Sequence, residues 1–80
     1  MIIYEAEMLS NNGDWGGSYR DHICFAISEE LATKEAIKYM TEKYPEFDWT
    51  KEKDYITDKT NPYYPRRTWY NIKAIEVKEN

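Results

Sequence analysis

The chain has 80 residues, 13 of them aromatic, with one cysteine and a formal net charge of −4. That length holds one domain, residues 1–80, with a thin core, and a lone cysteine excludes an internal disulfide or a multi-cysteine metal cluster. No stretch approaches the ~20 apolar residues of a membrane span, and Glu5 and Glu7 break an N-terminal segment that lacks the basic start of a signal peptide, so a cytoplasmic location is expected.

Ile2 to Leu9 alternates, with Ile2, Tyr4, Ala6 and Met8 on one side and Glu5 and Glu7 on the other, which predicts a strand with one face on the core and one toward water. Ser10 to Ser18 holds all three glycines and reads as a loop, with Asn12-Gly13 favouring a turn. Trp15 sits in that loop. It either anchors an interface, as tryptophan often does, or folds back onto the sheet.

Tyr19 to Ile27 predicts the second strand. Regular alternation puts Ile23, Phe25 and Ile27 on one face and His22, Cys24 and Ala26 on the other. The first two strands then form a hairpin. The stretch "ATKEAIKYMTEKYP" predicts a helix with Ile37, Met40 and Tyr44 on one stripe beside Ala36. Thr33 serves as its N-cap and Ser28 is the rival, so the start lies at one or the other. Lys38 and Glu42 fall an ideal i, i+4 apart on the wet side. Pro45 ends the helix, because the residue before a proline is pushed out of the α region.

Phe47 and Trp49 alternate with acids and are expected to fold over the edge of the core. Asp54 to Thr60 predicts a short third strand and Thr68 to Lys78 a fourth. The fourth changes phase: Tyr70, Ile72 and Ala74 share one face, Ile75 and Val77 the other. A bulge near Lys73-Ala74, or burial on both faces, would reconcile them. The order is β-β-α-β-β. One helix of about three turns covers one face of about four strands, which predicts an α+β fold, an antiparallel sheet with the helix on one side.

Chemistry is sparse. "RDHIC" brings His22 and Cys24 two residues apart, on one face of a regular strand, as a nucleophile pair would need. One histidine, one cysteine and scattered carboxylates make no closed zinc set. "DWTKEKDYITD" lacks the central glycine of a calcium loop, and "NNGDWGGS" lacks the lysine of a phosphate loop. No catalytic set, metal or cofactor is therefore expected.

The densest group of ligand-gripping residues is "NPYYPRRTWYN", Asn61 to Asn71. Three readings fit it. Arg66 and Arg67 meet phosphates while Tyr63, Tyr64 or Trp69 stacks on bases. Or the same residues dock a protein, since Tyr, Trp and Arg lead binding hot spots. Or the prolines shape a turn and the rings pack inward. Neighbours on a strand face opposite ways, so Trp69 and Tyr70 cannot both enter the core; Tyr70 shares a face with Ile72 and is expected inside, Trp69 outside.

Charge is uneven: residues 1–50 carry 10 acids and 4 bases, residues 51–80 carry 5 acids and 7 bases. The expectation is a small acidic protein–protein interaction module. Its interface residues are Trp15, Tyr63, Tyr64, Arg66, Arg67 and Trp69. Its acidic surface suits a basic groove, including that of a nucleic-acid-handling host protein, in the manner of inhibitors from mobile elements and phage. The alternative is a nucleic-acid-binding module using the C-terminal third, and the third an enzyme using His22 and Cys24. A homodimer through strand four is expected if that strand lies at an edge.

Overall fold

The computed structural model describes residues 1–11, 18–60 and 62–78. Four strands and one helix follow in the order β1 (Ile2–Asn11), β2 (Ser18–Ala26), α1 (Glu29–Lys43), β3 (Asp54–Asp58) and β4 (Arg66–Glu76). The strands form one antiparallel sheet in the order β2-β1-β4-β3. This is the expected α+β architecture: one helix on one face, and β1 and β2 as a hairpin.

β1 supplies the face that α1 covers. Ala6, Met8 and Ser10 are buried and lie opposite Ile72, Tyr70 and Thr68 of β4. From α1 come Ala32, Ala36 and Met40, one residue per turn and fully buried, while Ile37 and Tyr44 flank them half-buried. The small alanines bring the helix close to the sheet. α1 packs on β1, β2 and β4 but not on β3. The segment after it covers the remainder. Trp49 is 1% exposed and meets Tyr55 edge-to-face, centroids 4.9 Å apart, with Phe47 beside both. The expectation that Phe47 and Trp49 close the core edge holds.

The helix begins at Ser28, not Thr33. The Ser28 hydroxyl accepts from the Leu31 amide at 3.2 Å, and Glu29 and Glu30 occupy the first turn, where the dipole favours acids. Glu29 and Glu30 are charged and exposed, so this first turn carries no apolar stripe in the sequence. Ser28→Ala is expected to lower stability by about 1 kcal/mol, measured by urea denaturation. Thr33→Ala is expected to cost nothing through capping.

Two phase expectations are corrected. β4 pairs with β1 in unbroken register from Glu76 opposite Ile2 to Arg67 opposite Asn11, so it carries no bulge at Lys73-Ala74. Of the two expected explanations, burial on both faces therefore holds in part: Ile75 lies half-buried on the helix-free face, opposite Ile3, while Val77 is exposed. The bulge is in β2. Cys24 lies opposite Ala6 and His22 opposite Glu7, which leaves Ile23 as the extra residue. Adjacent β1 residues face opposite ways, so Cys24 is on the helix face and His22 on the other. Phe25 goes with His22, 59% exposed, its ring 4.6 Å from the imidazole. Ile27 is exposed as well.

β4 also lies inside the sheet rather than at its edge; β2 and β3 are the edge strands. The shortness of β3 qualifies this. It reaches along β4 only from Arg66 to Trp69.

Candidate interaction surface

The two faces of the sheet differ in chemistry. Opposite the helix, β1 presents Glu5 and Glu7, β2 presents Arg20 and His22, and β4 presents Arg67, Trp69, Asn71 and Lys73. These charges pair across strands. His22 Nδ1 lies 2.6 Å from Glu5 Oε2, Lys73 Nζ 3.2 Å from Glu5 and 3.9 Å from Glu7, and Arg20 Nε 3.3 Å from Glu7. Glu7 is only 2% exposed. A carboxylate so deeply placed requires its cations. Among the described residues, every buried side-chain N or O atom has a hydrogen-bond partner.

The hydrogen bond from His22, and next Lys73, hold the Glu5 carboxyl below its ordinary value. A depressed folded-state value gives stability that is present above the unfolded value of about 4.3 and lost as pH falls through the folded one. Glu5→Gln is therefore expected to be less stable than wild type at pH 7. The gap should close as denaturation curves are taken down to pH 3.

At the end of the sheet where β1 finishes and β4 begins, both hairpin connections emerge. Trp15, in the first, lies outside the described residues. Tyr63, in the second, is 84% exposed, and Tyr64 is half-buried beside it. Arg67 and Trp69 stand together on the helix-free face, the guanidinium carbon 5.7 Å from the ring centroid. Asp54 of β3 holds Arg67 through a paired contact, with Nε 3.3 Å from Oδ1. Tyr70 faces the core at 8% exposure, as expected, and Trp69 faces out.

Arg66 is parted from Arg67. It turns to the helix face, donates to the buried Ser10 hydroxyl at 2.9 Å and lies 5.9 Å from the centroid of the Tyr19 ring. Ser10, Thr68 and Thr57 form a run of hydroxyl contacts there, with Thr57 and Thr68 2.8 Å apart. Arg66 thus closes a polar layer beyond the apolar core. On the other face, Leu9, Arg20 and Trp69, with Tyr19 alongside, border a cleft of about 330 Å³. Leu9, Tyr19 and Arg20 were not singled out from sequence. Their strand ends invite attention only once β1 is known to lie between β2 and β4.

His22 and Cys24, expected to share a face, are divided by the bulge. Burial, and then Glu35, push the Cys24 thiol up, which disfavours the thiolate a nucleophile requires. No group of three or more His, Cys, Asp or Glu suited to a metal occurs among the described residues, and no helix among them is long and apolar enough to cross a membrane. The class the fold and surface define is an α+β sheet-and-helix domain with one charged, helix-free face. Comparison of the chain with protein-family models, curated proteins and solved structures finds no match.

Proposed function

We propose that the chain is a protein-binding module whose interface centres on Trp69 and Arg67, with Tyr63 at its margin. The observation that carries this reading is the pairing of Trp69 and Arg67 on the helix-free face, beside the cleft bordered by Leu9 and Arg20. A ring held by its neighbours loses little entropy on binding, and Trp, Tyr and Arg dominate hot spots.

A protein is favoured over a nucleic acid by the state of the cations. Arg67 is held by Asp54, Arg20 by Glu7, and Lys73 by Glu5 and Glu7. A phosphate backbone would have to compete with each carboxylate, and the chain carries −4 overall. The helix side is acidic: between Glu29 and Lys53 stand seven acids and five lysines, all exposed. That surface suits a partner with a basic groove, such as a nucleic-acid-handling protein held in check by this module.

The test is capture from lysate of the source cells, with and without nuclease treatment, by wild type, Arg67→Gln/Trp69→Thr, and Phe25→Ser at the far end of the sheet. The expected result is one set of proteins retained by wild type and by Phe25→Ser and lost with the double variant. Equal retention by all three sinks the proposed interface. Retention that disappears with nuclease transfers the reading to nucleic acid.

A further inference from the structure

β4 has a free edge. β3 pairs with it no further than Trp69, and the Tyr70 amide donates to the Lys53 carbonyl at 3.2 Å. Beyond Tyr70, no described residue pairs with β4 on that side. Which backbone groups point outward follows from the alternation of an antiparallel ladder. Val77 and Met1 bond each other, Val77 N to Met1 O at 2.8 Å and Met1 N to Val77 O at 3.5 Å. Val77, Ile75, Lys73 and Asn71 therefore bond toward β1. Ile72, Ala74 and Glu76 turn their N–H and C=O groups away from it, as Tyr70 does toward Lys53. Three successive outward positions are a template for another strand.

The helix packs on β4, on the face of the sheet that carries Ile72 and Ala74. Tyr39 donates to Asp21 of β2 at 3.3 Å, and Lys43 lies 3.9 Å from the same carboxylate. This flank of α1 therefore faces β2, and the flank bearing Thr33 and Ile37 faces the β4 side. An open cleft of about 720 Å³ runs along that second flank, walled by Ile37 and Thr33 and by the aliphatic stems of Glu29, Glu30 and Lys34. Ile72 and Ala74 face the helix side of the sheet here, Ala74 exposed. An unpaired strand edge on the side to which this flank of the helix turns combines main-chain bonds for affinity with a place for alternate side chains.

We propose that an extended segment of a partner protein adds to the sheet at Ile72–Glu76, antiparallel to β4 and in line with β3. Its apolar side chains, at every second position, enter the cleft against Ile37 and Ala74. The occupant is a strand because the edge offers backbone donors and acceptors at strand spacing, which a helix cannot meet. A second copy of this chain is disfavoured at its own edges. Antiparallel self-pairing of the free edge about Ala74 sets Ile72 against Glu76 and Lys73 against Ile75, an apolar side chain against a charge each time, and self-pairing of β3 about Ile56 sets Asp54 against Asp58. The inference extends the protein-binding reading but uses a different surface from Trp69 and Arg67, so the two can fail separately.

The probe is a synthetic library of nine-residue peptides with apolar residues at alternate positions, selected on wild type against Ala74→Pro. Proline at 74 removes only an outward N–H and spares the β1 ladder. Ala74→Lys, which leaves the backbone intact and puts a charge over the cleft, is the second variant. In free wild type, hydrogen exchange should be fast at Ile72, Ala74 and Glu76 and slow at Lys73 and Ile75. Selected peptides should slow those three amides, and both variants should weaken binding by about tenfold or more. Trp69→Thr should leave it unchanged. Three results would overturn the proposal: no enrichment over Ala74→Pro, protection elsewhere in the sheet, or wild-type self-association through this edge in sedimentation.

Discussion

Trp49→Ala is expected to remove about 3–5 kcal/mol of folding stability, the range for deleting a large buried ring. Among the largest side chains that are fully buried here, the others are Met8, Met40, Thr68 and Ser10, so little else is present to compensate. Its site explains the size of the effect. α1 does not reach β3, and that side of the core is closed by Trp49 with Phe47, Tyr44 and Tyr55 around it. The indole N–H donates to the Tyr44 carbonyl at 3.2 Å, which ties the segment after the helix back to its C-terminus. Domains of this size have about 5–15 kcal/mol in total, and small ones lie toward the low end. The melting temperature should fall by about 15 °C or more, followed by circular dichroism. A shift of only a few degrees would mean that the core does not depend on this ring.

The second large effect concerns Glu7 and shows an asymmetry. Arg20→Ala/Lys73→Ala leaves a buried carboxylate without either of its cations, at a cost of about 3 kcal/mol or more. Glu7→Leu removes the charge itself and leaves two cations that already reach solvent, with side-chain exposures of 61% and 42%, and Lys73 keeps its contact with Glu5. It is expected to cost less than about 1 kcal/mol, or to stabilise. Both are read from urea denaturation at pH 7. Adding Glu7→Leu to the double variant should restore most of its loss. If the double variant is as stable as wild type, the network contributes nothing and Glu7 is buried for another reason.

Local patterns were legible in the sequence. The alternation of β1, the Ala36–Met40 side of the helix, the stop at Pro45 and the opposed fates of Trp69 and Tyr70 all follow from spacing within one element. What was hidden depends on pairing between elements. One extra residue at Ile23 has no compositional mark, yet it moves His22 and Cys24 to opposite faces and so dissolves the one nucleophile pair the sequence offered. The helix start was ambiguous because Ser28 and Thr33 are both competent caps, and only the bond to Leu31 distinguishes them. Glu5 and Glu7 read as wet-face acids; that Lys73 lies across from Glu5 needs the β1–β4 register. The free half of β4 needs both the strand order and the length of β3, neither of which is local.

The same division applies to the surface. "NPYYPRRTWYN" reads as one block, but the fold sorts it by face. Tyr63 stays in the turn, Arg66 closes a buried hydroxyl layer, Tyr70 enters the core, and Arg67 with Trp69 stands on the helix-free face. Burial of Tyr70 pushes its hydroxyl up, in keeping with a structural place. The two proposed surfaces lie at different parts of β4, near its start and along its second half, so one partner spanning both would make a bivalent contact.

Photo-crosslinking in the source cells, with p-benzoylphenylalanine placed in turn at positions 63, 69 and 25, distinguishes the surface around Trp69 from the far end of the sheet. Adducts to one and the same protein are expected from 63 and 69, and none to it from 25. Adducts to nucleic acid, or to protein from 25 alone, would contradict the proposed interface.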